Sequence, residues 1–215
     1  MKFGLGNGRT DFRHWQGIES ATGLVEYWPT LGGSPEHPEE KLDHISHHLD
    51  FMGNGGSKWS AEKVRPQMEH MLARVGEREG QVRLLLLRPN CEACKKASKK
   101  RFPEDEDSLP RRNTSSLLQL RDLQAQYPHL EIKLYEHAPF FRLTFSDKQT
   151  VSVGHYQQYW EDSTETPLLV IEDGRDGNEW SFFVAFSRYF KEEWRNGEPL
   201  RPAELDELAK DYGLV

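Results

Sequence analysis

The run Val82-Arg83-Leu84-Leu85-Leu86-Leu87, stopped by Arg88-Pro89-Asn90, constrains the fold more than any other part of the chain. It is too short to cross a membrane and is apolar at both odd and even positions. Such a run reads as a strand covered on both faces, the situation of strands in α/β proteins. Helical spacing flanks it. Val64, Met68, Met71, Leu72 and Val75 form one apolar stripe, with Ser60 as the expected N-cap and Pro66 in the first turn. Leu117, Leu118, Leu120, Leu123 and Tyr127 mark a second amphipathic helix.

Strand-like segments follow at 132–135, 141–145, 151–153 and 168–171. The middle two are joined by Ser146-Asp147-Lys148-Gln149, which predicts a tight antiparallel hairpin. Trp180, Phe183, Phe186, Phe190 and Trp194 then stud an aromatic helix ended by Asn196-Gly197, and a short helix is expected over 202–211. Alternation of strands and helices in the first half, with a hairpin in the second, predicts an α/β fold: one mixed sheet with helices on both faces.

Upstream, residues 1–40 are rich in Gly, Pro and Trp and hold no sustained period. The piece Leu24-Val25-Glu26-Tyr27-Trp28 is strand-like, before the break Gly32-Gly33-Ser34-Pro35. Leu42, Ile45 and Leu49 predict a short helix giving way to a first strand that runs into the glycines at 53, 55 and 56. The organisation expected is an N-terminal extension over 1–40 and one domain over 41–215. Apolar residues at 36% and charged residues at 29%, with six Trp, seven Tyr and eleven Phe, suffice for a packed core and exclude a disordered composition. A net charge of −7 argues against a general nucleic-acid coat or a polybasic membrane binder, though a local basic pocket is compatible with it. No apolar run approaches the ~20 residues of a membrane span, and Met1-Lys2-Phe3-Gly4-Leu5-Gly6 has no apolar signal core. The two cysteines, Cys91 and Cys94, suggest no disulfide framework, so the expected setting is a reducing cytoplasm.

Four features carry a resemblance. They are the 82–87 strand ending in Arg88-Pro89; the Leu-rich helix before Leu130-Glu131-Ile132-Lys133-Leu134-Tyr135; the hairpin Pro139-Phe140-Phe141-Arg142-Leu143-Thr144-Phe145-Ser146-Asp147; and Val153-Gly154-His155-Tyr156 with the late Tyr189-Phe190 and Trp194. In order and spacing, residues 42–200 resemble a half-unit of the phospholipase D-like superfamily, especially bacterial members with a degenerate motif. Catalytic members carry His-x-Lys-x4-Asp in this hairpin, where the His attacks phosphorus, the Lys binds phosphate oxygens and the Asp orients a His. Anchored on Asp147, the motif puts Phe140 at the nucleophile position and Arg142 at the lysine position. Gln157 stands where the following Val-Gly-Gly-x-Asn segment has its Asn.

Phe cannot form a phosphoenzyme or move a proton, which closes the two-step route. Arg142 keeps a planar fork of donors suited to phosphate or carboxylate. The resemblance therefore implies a non-catalytic, regulatory module. Its ligand would be phosphate-bearing, with a nucleotide or nucleic acid among the candidates, or else it would bind a partner protein. Arg142, Asp147, Gln157 and Arg88 are the candidate ligand residues. Because one chain supplies one half-motif, the resemblance also implies a homodimer. The bland account of Arg142 and Asp147 is an ordinary hairpin ion pair.

Two other chemistries stay open. His137 and His155, each at a strand end, are candidate acid–base residues for a rewired phosphodiesterase or nuclease. Cys91-Glu92-Ala93-Cys94, after a strand and at a helix start, has the placement of a thiol oxidoreductase pair. The alternative for these cysteines is packing. His44, His47 and His48 have a spacing that could face a metal from one helix, but no further ligand can be identified, so no metal and no cofactor are expected. Gly4-Leu5-Gly6-Asn7-Gly8 opens no helix and is not a phosphate loop.

Overall fold

The computed structural model describes residues 10–11, 22–29, 38–156, 166–173 and 181–215. The helices among them are α1 (Pro38–His44), α2 (Ser57–Ser60), α3 (Arg65–Glu77), α4 (Glu92–Arg101), α5 (Ser108–Gln126), α6 (Phe182–Asn196) and α7 (Pro202–Asp211). The strands are β1 (Thr10–Asp11), β2 (Leu24–Trp28), β3 (His48–Gly53), β4 (Gln81–Leu87), β5 (Leu130–Tyr135), β6 (Phe141–Ser146), β7 (Thr150–His155), β8 (Leu168–Glu172) and β9 (Glu198–Pro199). They form one sheet in the order β1-β2-β8-β7-β6-β3-β4-β5-β9. β3, β4 and β5 are parallel to one another. The remaining neighbours are antiparallel. This is the mixed α/β sheet with helices on both faces that the sequence predicts.

The uninterrupted apolar run of β4 is explained by two cores. Val82, Leu84 and Leu86 enter the core built with Leu42 of α1, Met68 and Leu72 of α3, Leu117 and Leu120 of α5 and Leu205 of α7. Leu85 and Leu87 point the other way, into the core closed by Phe183 and Phe190 of α6. A fully buried ring such as Phe190, 1% exposed, stabilises by about 1.5–3 kcal/mol. On this second face Arg83 pairs bidentately with Asp50 and lies over the rings of Phe190 and Trp194, at 5.2 and 5.3 Å. The charged residue that interrupts the run is thus paired with acid and aromatic groups.

Three expectations change. Ser60 ends the four-residue α2, and α3 starts only at Arg65, with Pro66 in its first turn and Val64 as the cap. Helix α5 begins at Ser108, well before the leucine stripe that starts at Leu117, because the Leu109 N–H donates to Ser98 Oγ (3.0 Å) and docks the first turn on α4. No apolar spacing announces that turn. Residues 24–28, which the sequence puts in an N-terminal extension, are strand β2 of the main sheet, paired with β8 from Leu24↔Ile171 to Trp28↔Leu168. Trp180 of the aromatic stripe lies outside the described residues.

Candidate functional site

The pairing directions bring the C-terminal ends of β3, β4, β5 and β7 and the N-terminal ends of β6 and β8 to one rim of the sheet. Along this rim β3 has a parallel neighbour on one side and an antiparallel one on the other. Ligand crevices of α/β sheets form at such carboxyl ends, where the strand order changes direction.

The chain reaches the rim at Phe140, and strand β6 begins there with Phe141-Arg142. Phe141 faces α6, its ring 5.3 Å from Phe186 and 6.0 Å from Tyr189. Alternation therefore turns Arg142 to the opposite face. There its guanidinium lies against Gly154, its register partner on β7. A Cβ on residue 154 would stand 3.4 Å from Arg142 Nη2 and 3.6 Å from Nε, so a larger side chain would compete for this space. Among the described residues no carboxylate is within ion-pair reach of Arg142.

Tyr156 shares that face. Its N–H donates to the Phe140 carbonyl (2.9 Å), extending the ladder, and its hydroxyl accepts from the Asn54 N–H (3.1 Å). Burial pushes the Tyr156 hydroxyl above the usual tyrosine range, against the pull of the nearby Arg142 charge. Having accepted one bond, this neutral hydroxyl still has a proton to donate. The loop after β3 is clamped from both sides. Asn113 Nδ2 donates to the Asn54 carbonyl (2.6 Å), and Tyr135 Oη donates to the Gly53 carbonyl (3.1 Å). Gly55 is required for that approach, since a Cβ there would stand 2.3 Å from Asn113 Oδ1. The sequence reading gives no role to Tyr156, Asn54, Asn113 or Tyr135. The available signal is the spacing of Tyr156, two residues beyond Gly154 and hence on the same strand face.

Asp147 is not part of this rim. It sits in the β6–β7 turn, five residues from Arg142 and about 16 Å along the strand. Its carboxylate accepts from the N–H groups of Ser46 (3.0 Å), His47 (2.7 Å) and His48 (2.9 Å). Burial alone would raise its pKa, but the backbone donors at His48, His47 and Ser46 outweigh this and hold it below the ordinary value. Asp147 and Lys148 both have left-handed φ, 50° and 58°, as a two-residue hairpin turn demands. The expected Arg142–Asp147 proximity, as a shared ligand site or as an ion pair, is thereby corrected: the aspartate anchors the turn to the entrance of β3.

Arg88 is also differently placed. Its guanidinium hydrogen-bonds Glu204 and Glu198, the latter at 2.9 Å. Nε is 2.9 Å from Glu136, although not along the N–H direction. Three carboxylates occupy this cation, so its surroundings repel an anion. It lines a cavity of about 250 Å³ at the outer edge of β5, together with Tyr135, Glu136, His137, Glu193 and Glu198. His137 Nε2 lies 3.2 Å from Glu193 there. His155 is exposed, edge-on to Phe141 at 5.9 Å, on the α6 face and not on that of Arg142. Four strand spacings separate the β5 and β7 ends, about 19 Å. The two histidines do not meet. Gln157 lies outside the described residues.

Cys91 is the N-cap of α4, its Sγ accepting from the Cys94 N–H at 3.3 Å. Both thiols are free and buried. Burial pushes both pKa values up, that of Cys94 to about 12. A redox nucleophile needs the opposite shift and access. His48 belongs to β3, so the three histidines share no helical face, and no group of three His, Cys, Asp or Glu side chains among the described residues could hold a metal.

A family model described as Domain of unknown function (DUF5919) matches residues 36–201. No curated protein matches the chain in sequence. Among solved structures, phosphatidylserine synthase of Haemophilus influenzae Rd KW20 is similar with a TM-score of 0.51 at 12% identity, over 98% of this chain and 47% of the synthase. The archaeal chromatin protein TrmBL2 gives a TM-score of 0.51 at 13% identity, over 81% of this chain and 53% of TrmBL2. Nuc of Salmonella typhimurium, a phospholipase D family member, gives 0.40 at 11% identity, over 78% of this chain and 94% of Nuc. The chain spans about half the length of the synthase and of TrmBL2. At these identities the likeness is one of fold, and the fold is phospholipase D-like.

Proposed function

The chain belongs to the DUF5919 family, and from that premise we propose that it is a non-catalytic phospholipase D-like module that binds a phosphate-bearing ligand through Arg142 in a regulatory role. The observation that carries this reading is the state of Arg142: laid against Gly154, without an acid partner among the described residues, within electrostatic reach of the Tyr156 hydroxyl. A guanidinium fork offers two parallel N–H donors to two phosphate oxygens, and Tyr156 can add an O–H donor. Residue 140 supplies no nucleophile, so the ligand is held and not cleaved. The scattered positions of His137 and His155 and the raised thiol pKa values weigh against the phosphodiesterase and oxidoreductase alternatives. TrmBL2, which shares the fold, is a DNA-binding chromatin protein. This agrees with a phosphate-bearing partner.

By the same resemblance the second half-site comes from a second copy of the chain, and light scattering showing only monomer at micromolar concentration would remove that part. No helix among the described residues is long and apolar enough to cross a membrane.

The test is titration with pyrophosphate and with a short single-stranded oligonucleotide. Removing a charged hydrogen bond costs about 1.5–3 kcal/mol, so Arg142→Ala should weaken binding of both at least tenfold and shift thermal unfolding by no more than a few degrees. Equal affinity for wild type and variant would refute the assignment. Hydrolysis of a bis-aryl phosphodiester by the wild type, lost in Arg142→Ala, would replace binding with catalysis.

A further inference from the structure

We infer that Phe140 is a base-stacking platform and that the ligand of the Arg142 site is a single-stranded nucleic acid, an inference that rests on the anion-binding reading above. Phe140 is 60% exposed, whereas its neighbour Phe141 is packed against Phe186 and Tyr189. The exposed ring is not on a loose loop. Phe140 is a bend residue just before β6, and its carbonyl accepts the Tyr156 N–H (2.9 Å), a backbone bond that continues the pairing one step beyond Phe141↔His155. Carried one residue beyond the start of β6, the alternation puts Phe140 on the face of Arg142, and residues two apart in a strand lie about 6.5–7 Å from each other. That is the reach from a nucleotide's phosphate to its own or the neighbouring base. An apolar ring and a cation at this spacing match the two parts of a nucleotide, the π-face and the phosphate.

The charge balance favours this ligand over the other sources of phosphate. At net charge −7 the chain gains nothing from a long polyanion as such. One gripped phosphate is a weak hold, so stacking must supply much of the affinity. A duplex hides its base faces, and a single strand presents them. An anionic lipid surface would meet Glu136 and Glu198, exposed carboxylates on the same rim. A single exposed ring is a poor match for acyl chains but a sufficient one for a base.

Fluorescence anisotropy with a labelled thymidine decamer and an abasic decamer of equal phosphate number separates these contributions. The wild type should bind the thymidine strand about ten- to a hundredfold more tightly than the abasic one. Phe140→Ala should abolish that ratio, Phe140→Tyr should keep it, and Arg142→Ala should weaken both strands. The salt dependence should correspond to a single phosphate, a slope of about −0.7. Equal binding of the two strands by the wild type, or an unchanged ratio in Phe140→Ala, would overturn the inference while leaving Arg142 as an anion anchor. If Arg142→Ala changes neither strand, the underlying reading fails instead. A Phe140→Ala variant that alters only the mass by light scattering would make residue 140 a subunit contact and reject the stacking role.

Discussion

The β6–β7 hairpin carries a charged group near each end, and the two are held in opposite ways. At the turn, three backbone N–H groups surround the Asp147 carboxylate and fasten the hairpin to the start of β3. At the rim, Arg142 lies over a glycine with no acid partner among the described residues. Charge that is saturated by the protein's own backbone stabilises the fold, whereas the Arg142 charge, without an acid partner among the described residues, is the one the proposed ligand would meet. In sequence these residues look like remnants of one catalytic motif. About 16 Å of strand separates them, and their roles separate with the distance.

The largest effect should come from the turn. Asp147→Ala removes the acceptor of three N–H donors and places a Cβ-bearing residue without a polar side chain at φ 50°. A loss of about 2–4 kcal/mol in urea unfolding is expected, against less than ~0.5 kcal/mol for Arg142→Ala. Equal losses would break the distinction between the two ends. Next, Gly53→Ala inserts a Cβ 2.6 Å from the Phe51 ring and 3.0 Å from Tyr156 Oη. Overpacking of this kind costs about 1–3 kcal/mol, and because it pushes on Tyr156 it should also lower oligonucleotide affinity. A variant that is destabilised with unaltered affinity would take Tyr156 out of the site. The smallest effect is in pH. The folded-state pKa of Asp147 is depressed, so its stabilisation is complete above the ordinary aspartate value of 3.8 and is lost as pH falls through the lower folded value. The stability gap between wild type and Asp147→Ala should therefore narrow only in strong acid. A gap that closes between pH 5 and 7 would contradict the assignment of the shift to this carboxylate.

The fold was largely legible because its signals are local. The β4 run, the α3 and α6 stripes and the Ser146–Gln149 turn each depend on residues close in sequence, and period and turn chemistry report them directly. Strand β2 was legible as a strand but not as a member of the sheet, since its partner residues in β8 lie 140 to 147 positions away. Helix α5 was half legible. Its leucines show the buried face, while its first turns are held by a hydrogen bond to Ser98 on another helix.

At the site the division is sharper. Phe140 and Arg142, read from the sequence, put no nucleophile at position 140 and a planar fork of donors at position 142, because those are properties of the side chains themselves. Which charges are already satisfied was decided only in three dimensions. Arg88 and Arg142 are the same residue type at two strand ends, yet one is enclosed by Glu136, Glu198 and Glu204 and the other faces Gly154 and Tyr156. The carboxylates that neutralise Arg88 come from the residue just after β5, from β9 and from α7, 48 to 116 residues downstream. A charge's availability depends on which groups packing brings within a few ångströms of it, and no local pattern around residue 88 or 142 encodes those neighbours.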